Sequence, residues 1–207
     1  MEFDQLRIEG KIQYSIDKKV VYSLLGYKKE QTKLPQKMFD RIEAAFEVAE
    51  DLIEAKGVFI IRQIKEKGNL ICLQNSQTTI LGQSAKDLLK NSFAVIFMAV
   101  TIGSGLENLI GLYTKEKQFE NALVLDTIGS EAAEASANAL NSYLLTLARQ
   151  AKNTLTRRFS PGYGDLPLTF QNDMYRELSL DRLKIVLDKK HILFPRKTVT
   201  AIIGVEE

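Results

Sequence analysis

Apolar and polar positions along the chain are spaced in ways that name the elements. In "PQKMFDRIEAAFEVAEDLIEAKG", Phe39, Ile42, Phe46, Ala49, Leu52 and Ile53 recur on one helical face. Pro35 therefore opens a long amphipathic helix, and Gly57 is its expected stop. "VFIIRQIKEKGNLICLQ" predicts a hairpin turning at Lys67-Gly68-Asn69. "QLRIEGKIQYSI" alternates as an early strand or hairpin, and "DKKVVYSLLGYK" reads as a short helix ending at Gly26. The longest apolar run, Phe93 to Val100, is far short of the ~20 residues that span a bilayer, so it predicts a buried strand.

A short helix, "QSAKDLLKN", precedes that strand. The glycine-bearing turn "TIGSGLE" follows it and leads into a helical tract from about Lys115 to Gln150. The middle of the tract is built of small residues, among them Gly129, Ser130, Ala132, Ala133, Ser136 and Ala137, which permit close approach of a ligand or of a packed sheet. Further on, "LTFQNDMYREL" and "SLDRLKIVLDKK" predict two helices, and "FPRKTVTAIIGVEE" a closing strand. Helices and strands mix without a regular βαβ rhythm. The expected fold is one α+β domain over residues 1–207, a mixed or antiparallel sheet with long helices.

Composition narrows the chemistry. A net charge of +2 without a basic stripe argues against a nucleic-acid binder, and the pairs Lys18-Lys19 and Lys28-Lys29 read as solvated faces. Cys72 is the single cysteine, so no intramolecular disulfide forms, and no signal peptide is evident; the expected location is the cytoplasm, with no membrane partner. His191 is the single histidine and reads as exposed or structural, and no His/Cys cluster suggests a metal site. No Walker A or dinucleotide fingerprint occurs.

One stretch resists both periodicities: "RRFSPGYGDLPLTFQ", Arg157 to Gln171. Pro161 biases Ser160 to an extended conformation, and Gly162 takes φ values other residues avoid, leaving backbone groups open to a ligand. Arg158 suits a carboxylate, and Tyr163 offers a flat face to a sugar or base. The parts fit a small ligand carrying a carboxylate and an aromatic ring; a plain surface loop is the competing reading.

Arg158, Gly162 and Tyr163 form an RxxxGY pattern that resembles the S-adenosylmethionine-binding activation domain of cobalamin-dependent methionine synthase. "GYGDLP" followed by Gln171, then "PRKTVTAIIG" from Pro195 to Gly204, is similar to that family's later motifs in order and separation. "FMAVTIGSGLE" and "LVLDTIGSEAAEA" resemble its strand-turn-helix and its long small-residue helix, so the likeness is strongest over residues 90–204.

The resemblance implies a module that binds S-adenosylmethionine and docks on a cobalamin-carrying synthase chain. One electron from a flavodoxin-like donor, coupled to methyl transfer from S-adenosylmethionine, then converts cob(II)alamin to methylcobalamin. By the same resemblance Arg158 holds the ligand carboxylate, the Ser160 backbone meets the adenine, Gly162 keeps the turn open and Tyr163 lies against the adenosyl group. Glu134 aligns with a glutamate near the ligand's cationic end; Glu131 competes for that part, and an exposed helix charge is the other reading of Glu134. No catalytic side chain is implied, because the cofactors carry the chemistry and the protein positions them.

Longer members continue past the closing strand and add ligand contacts there, and they place an acidic residue near the N-terminal part of the site, for which Asp4 and Asp17 are the candidates. The implied site is therefore incomplete, weaker or completed by a partner, across a transient interface to which Tyr27 or Tyr113 contribute if exposed. A second reading is a corrinoid-protein-binding adaptor of the same fold without S-adenosylmethionine binding; a third is an unrelated α+β domain.

Overall fold

The computed structural model describes residues 2–27 and 32–207; the Lys28-Lys29 pair lies outside the described residues. In chain order, β1 (Arg7–Glu9), α1 (Lys18–Leu24) and α2 (Gln36–Leu52) precede β2 (Lys56–Lys67), β3 (Ile71–Leu73) and β4 (Thr79–Ile80). Then come α3 (Gln83–Leu89), β5 (Ala94–Thr101), α4 (Gly105–Lys115) and the 32-residue α5 (Phe119–Gln150). The last third carries β6 (Thr154–Leu155), α6 (Gln171–Leu178), β7 (Val186–Leu187), β8 (Leu193–Phe194) and β9 (Thr198–Glu206).

The apolar run becomes β5, buried at every position. It lies antiparallel between β2 and β9 in a sheet ordered β4-β3-β2-β5-β9-β6, and β1 shares the edge of β2 with β3. Alternation sends Val95, Phe97, Ala99 and Ile202 to one face, where they pack with Leu89, Met174 and Leu178 of α3 and α6. Ile96, Met98, Ala201 and Ile203 face the other way, onto Ala137, Leu140 and Leu144 of α5. A third cluster joins Val21, Ile42, Ala49, Leu106, Leu125 and Ile128 from the four helices α1, α2, α4 and α5. The small residues of α5 are thus accounted for by packing: Gly129, Ala132, Ala133, Ser136 and Ala137 are all buried, and a Cβ on Gly129 would meet Leu106 Cδ2 at 2.8 Å.

Several sequence expectations change. Gly57 does not end α2; the helix stops at Leu52, where extended Ile53 leads Glu54 N–H to the Ile102 carbonyl, at 3.0 Å. Gly57 instead sits within β2 opposite Val100, where a Cβ would lie 2.6 Å from Ile12 Cδ1. The tract from Lys115 to Gln150 is the single helix α5, starting at Phe119; a break at Lys117, φ +61°, separates it from the preceding α4, which folds back on it. "SLDRLKIVLDKK" is not a helix. After a 3-10 turn at Leu180–Leu183 the chain pairs as the β7–β8 ribbon, whose turn is held by Asp188 Oδ1 accepting from Lys190 and Ile192 N–H, both at 2.8 Å. Only Arg7–Glu9 of the early alternating segment is strand. His191 is half-buried against Asn172, Nδ1 to Nδ2 3.1 Å, a structural contact. Tyr27 and Tyr113 are half-buried against the helical cluster, so only part of each ring faces solvent.

Among the described residues no helix is long and apolar enough to cross a membrane, and no group of three His, Cys, Asp or Glu side chains is placed to hold a metal.

Candidate functional site

The edge of β9 is covered only in part. β6 pairs with Val205 and Glu206, Thr156 N–H reaches the Gly204 carbonyl, and Phe159 exchanges two hydrogen bonds with Ile202, at 2.9 and 2.8 Å. There Pro161 turns the chain away. Backbone groups of alternate residues face one edge, so Thr200 and Thr198 present theirs on the side that Phe159 leaves open. This exposed edge is the base of a cleft of about 620 Å³, walled by Glu134 of α5, by Arg157 to Ser160, by Tyr163, and by Gln171 at the start of α6.

The loop that forms the wall is built by local chemistry. Ser160 to Tyr163 is a turn with Pro161 second and Gly162 third, closed by Tyr163 N–H on the Ser160 carbonyl at 3.2 Å. Gly162 has φ +90°, the left-handed backbone that such a turn requires at its third residue. Asp165 then ties the loop to α3: its carboxylate accepts from Gln83 N–H at 2.5 Å and Ser84 N–H at 3.0 Å. These contacts, that to Ser84 first, hold the Asp165 carboxyl below its ordinary 3.8.

Arg158 turns back toward α5. Its guanidinium pairs with Glu134 and donates to Asn138 Oδ1 at 2.8 Å, the two acceptors lying one turn apart on the helix. The Arg158 side chain is 20% exposed and that of Glu134 51%, so the pair is open to exchange with a ligand. Arg157 points elsewhere, its guanidinium 5.7 Å from the centre of the Phe159 ring. On the opposite wall Thr200 Oγ1 donates to Gln171 Oε1 at 3.0 Å, both residues buried. Tyr163, 68% exposed, stands at the mouth.

Of the residues singled out from the sequence, Arg158, Ser160, Tyr163 and Glu134 come together around the cleft. Gly162 shapes the turn but does not line it, and its N–H is used inside the loop on the Leu166 carbonyl at 2.9 Å, so the expectation of open amides there is not met. The Ser160 N–H has no acceptor among the described residues. Glu131 lies outside the cleft beside Asp17, and burial, then the charges of Asp17 and Glu134, push its carboxyl up. Asp17 caps α1 through Lys19 N–H, and Asp4 is engaged by Arg62 and Asn75; neither reaches the cleft. Asn138, Thr198 and Thr200 were not singled out. Their signals were present as spacing, four residues on from Glu134 for Asn138 and two-residue alternation along β9 for the threonines.

No protein-family model matches the chain, and no curated protein does. Among solved structures it is similar to the crystal structure of the MetH reactivation domain bound to AdoHcy, with a TM-score of 0.73 over 97% of this chain and 78% of that one, at 14% identity. The fold is that of the MetH reactivation domain. At that identity the likeness is one of fold alone; within this chain the RxxxGY turn lies beside the uncovered edge of β9 and opposite Glu134.

Proposed function

We propose that this chain binds S-adenosylmethionine in the cleft and presents it to a cobalamin-carrying methionine synthase, supporting the reductive methylation that returns cob(II)alamin to use. The observation that supports this reading is the Arg158–Glu134 pair at the side of an open cleft of about 620 Å³. That volume lies within the range of small-molecule sites. A ligand with a carboxylate next to cationic groups can exchange partners with the pair: its carboxylate takes Arg158, and its ammonium and sulfonium take Glu134. Both protein charges stay compensated throughout, so binding leaves no bare charge in the cleft. Tyr163 supplies a flat face at the mouth, and Ser160 N–H a donor beside it.

When bound, S-adenosylmethionine supplies an electrophilic methyl group, and the partner's cobalamin with one electron from a flavodoxin-like donor accepts it. This chain's residues orient the donor and hold it at an accessible mouth, which is a positioning task. The AdoHcy named for the solved neighbour is the demethylated form of that donor and agrees with this assignment.

Titration calorimetry with S-adenosylmethionine, with ATP as control, tests the reading. Selective binding near −7 to −8 kcal/mol, roughly micromolar, is expected. Arg158→Ala is expected to weaken it by about 2 kcal/mol, the scale of hydrogen bonds to a charged group. Equal binding by wild type and Arg158→Ala rejects the residue assignment. No binding by wild type rejects the function, and capture of a cobalamin-binding protein without S-adenosylmethionine then identifies the adaptor.

A further inference from the structure

Gln171 occupies an unusual position for an amide. It is 9% exposed, and that exposure faces the cleft whose wall it forms. Thr200 Oγ1 donates to its Oε1 at 3.0 Å, which fixes the orientation of the amide plane. No group among the described residues accepts from its Nε2. Among the described residues Nε2 is not a buried unpaired atom, so it opens onto the cleft, where its two N–H groups are free to donate to a ligand. Its Oε1 also keeps a second lone pair.

The sheet says which part of a ligand meets it. Side chains alternate along β9, so Thr200 shares the α6 face with Ile202, while Val199 packs with the helical clusters on the α5 face. The charged pair Arg158–Glu134 thus lies at the α5 end of the cleft and the neutral Gln171–Thr200 pair at the α6 end, with the open strand edge between them. An amino-acid moiety fits the first end and a neutral heterocycle the second. A carboxamide offering a donor beside an acceptor matches the edge of adenine, where a ring nitrogen accepts next to the exocyclic amine that donates.

We propose that Gln171, oriented by Thr200, reads the adenine edge of the ligand through its amide and is a specificity-determining residue of this cleft. The assignment rests on the S-adenosylmethionine reading above. It makes the site selective for a 6-amino purine over a 6-oxo purine, whose oxygen would oppose Oε1 and whose ring N–H would oppose Nε2.

The test pairs two neutral probes lacking the amino-acid end, 5′-methylthioadenosine and 5′-methylthioinosine, with S-adenosylmethionine. Wild type should bind the adenosine probe at least tenfold more tightly than the inosine probe. Gln171→Glu and Gln171→Met should each lose that preference and weaken S-adenosylmethionine about tenfold, and Thr200→Val should reduce the preference by loosening the amide. Arg158→Ala, by contrast, should weaken S-adenosylmethionine more than 5′-methylthioadenosine. Circular dichroism identifies which variants fold, and the wild-type comparison of the two probes needs no variant at all. Binding of S-adenosylmethionine with no preference between the probes, or with a preference that the Gln171 variants keep, overturns the role of Gln171 and leaves the function standing. Failure of wild type to bind either S-adenosylmethionine or 5′-methylthioadenosine overturns both.

Discussion

Asp165 ties the loop of residues 157–171 to α3, although the two are 81 residues apart at the Ser84 contact. Its carboxyl is held down by the Ser84 and then the Gln83 amides, so the folded form favours the ionised group. That contribution is complete above its ordinary value of 3.8 and is lost as pH falls through the lowered value in the fold. Asp165→Asn should therefore lower the melting temperature at pH 7 and make the fall in stability below about pH 4 shallower than in wild type. Thermal melts across that range check it; parallel acid limbs would mean that the two amides do not hold the carboxylate. Lys197 performs a similar service on the α5 side. Its ammonium reaches the Asp126 carbonyl at 3.0 Å, Ser130 Oγ at 2.6 Å and the Asp126 carboxylate at 2.7 Å, and its stem crosses Gly129. Lys197→Met should keep the stem packing and lose about 1–2 kcal/mol of stability in urea unfolding. A loss as small as that of an exposed ion pair would rule out the anchoring role.

Between elements, the closest approach in the sheet is at Gly204. A Cβ there would lie 2.1 Å from Ser92 Oγ, 2.9 Å from Leu89 Cδ2 and 3.0 Å from Thr156 Cγ2. Ser92 is fully buried, and its hydroxyl has no partner among the described residues. Gly204→Ala should cost about 2–3 kcal/mol through overpacking, whereas Ser92→Ala should be neutral or stabilising by about 1 kcal/mol, since it removes an unsatisfied buried group. The double variant should recover part of the Gly204→Ala loss, and a cycle of four denaturation curves measures the coupling. Strict additivity would show that the hydroxyl is not what the new methyl meets. This site also marks where the sequence stops being informative. The helix from Pro35, the hairpin at Gly68 and the apolar run of β5 carry strong periodic signals and appear as read. Gly57 and Gly204 are glycine because other elements press on them, and no local pattern carries that. β4 and β6, two residues each, are too short to show a period, and the β7–β8 ribbon alternates over too few residues to compete with a helix-like run of leucines and lysines. The RxxxGY turn was visible because proline and glycine constrain the backbone locally. Gln171 was visible only as a later motif position; its place on the opposite wall was not, since that depends on Thr200 of β9.

At the scale of the whole molecule, the cleft depends on contacts far from it. α6 begins with Gln171 in the cleft wall and carries Glu177 near its other end. The Glu177 side chain, 8% exposed, accepts from Arg62 Nε at 2.8 Å, from Thr78 Oγ1 at 2.8 Å and from Ser76 Oγ. Arg62 also pairs with Asp4, which accepts from Asn75. One polar network thereby joins the N-terminal segment, β2, the loop before β4 and α6. Glu177→Ala leaves the guanidinium of Arg62, 15% exposed, without its inner partner. Breaking a buried pair from one side is far worse than lacking the pair altogether. The expected loss is about 3 kcal/mol, or roughly 6–12 °C in melting temperature for a chain of this size. Glu177→Gln should lose less, because it keeps an acceptor for Arg62 and the hydroxyls. Replacing both Glu177 and Arg62 with apolar residues of similar volume should recover stability relative to Glu177→Ala alone. Because the network holds the far end of α6, Glu177→Ala should also weaken S-adenosylmethionine at temperatures where the variant remains folded, though less than Gln171→Met. Calorimetry below the melting transition separates the two effects. Unchanged affinity in a strongly destabilised variant would show that α6 is set by its packing on β5, through Met174 and Leu178, without help from the network.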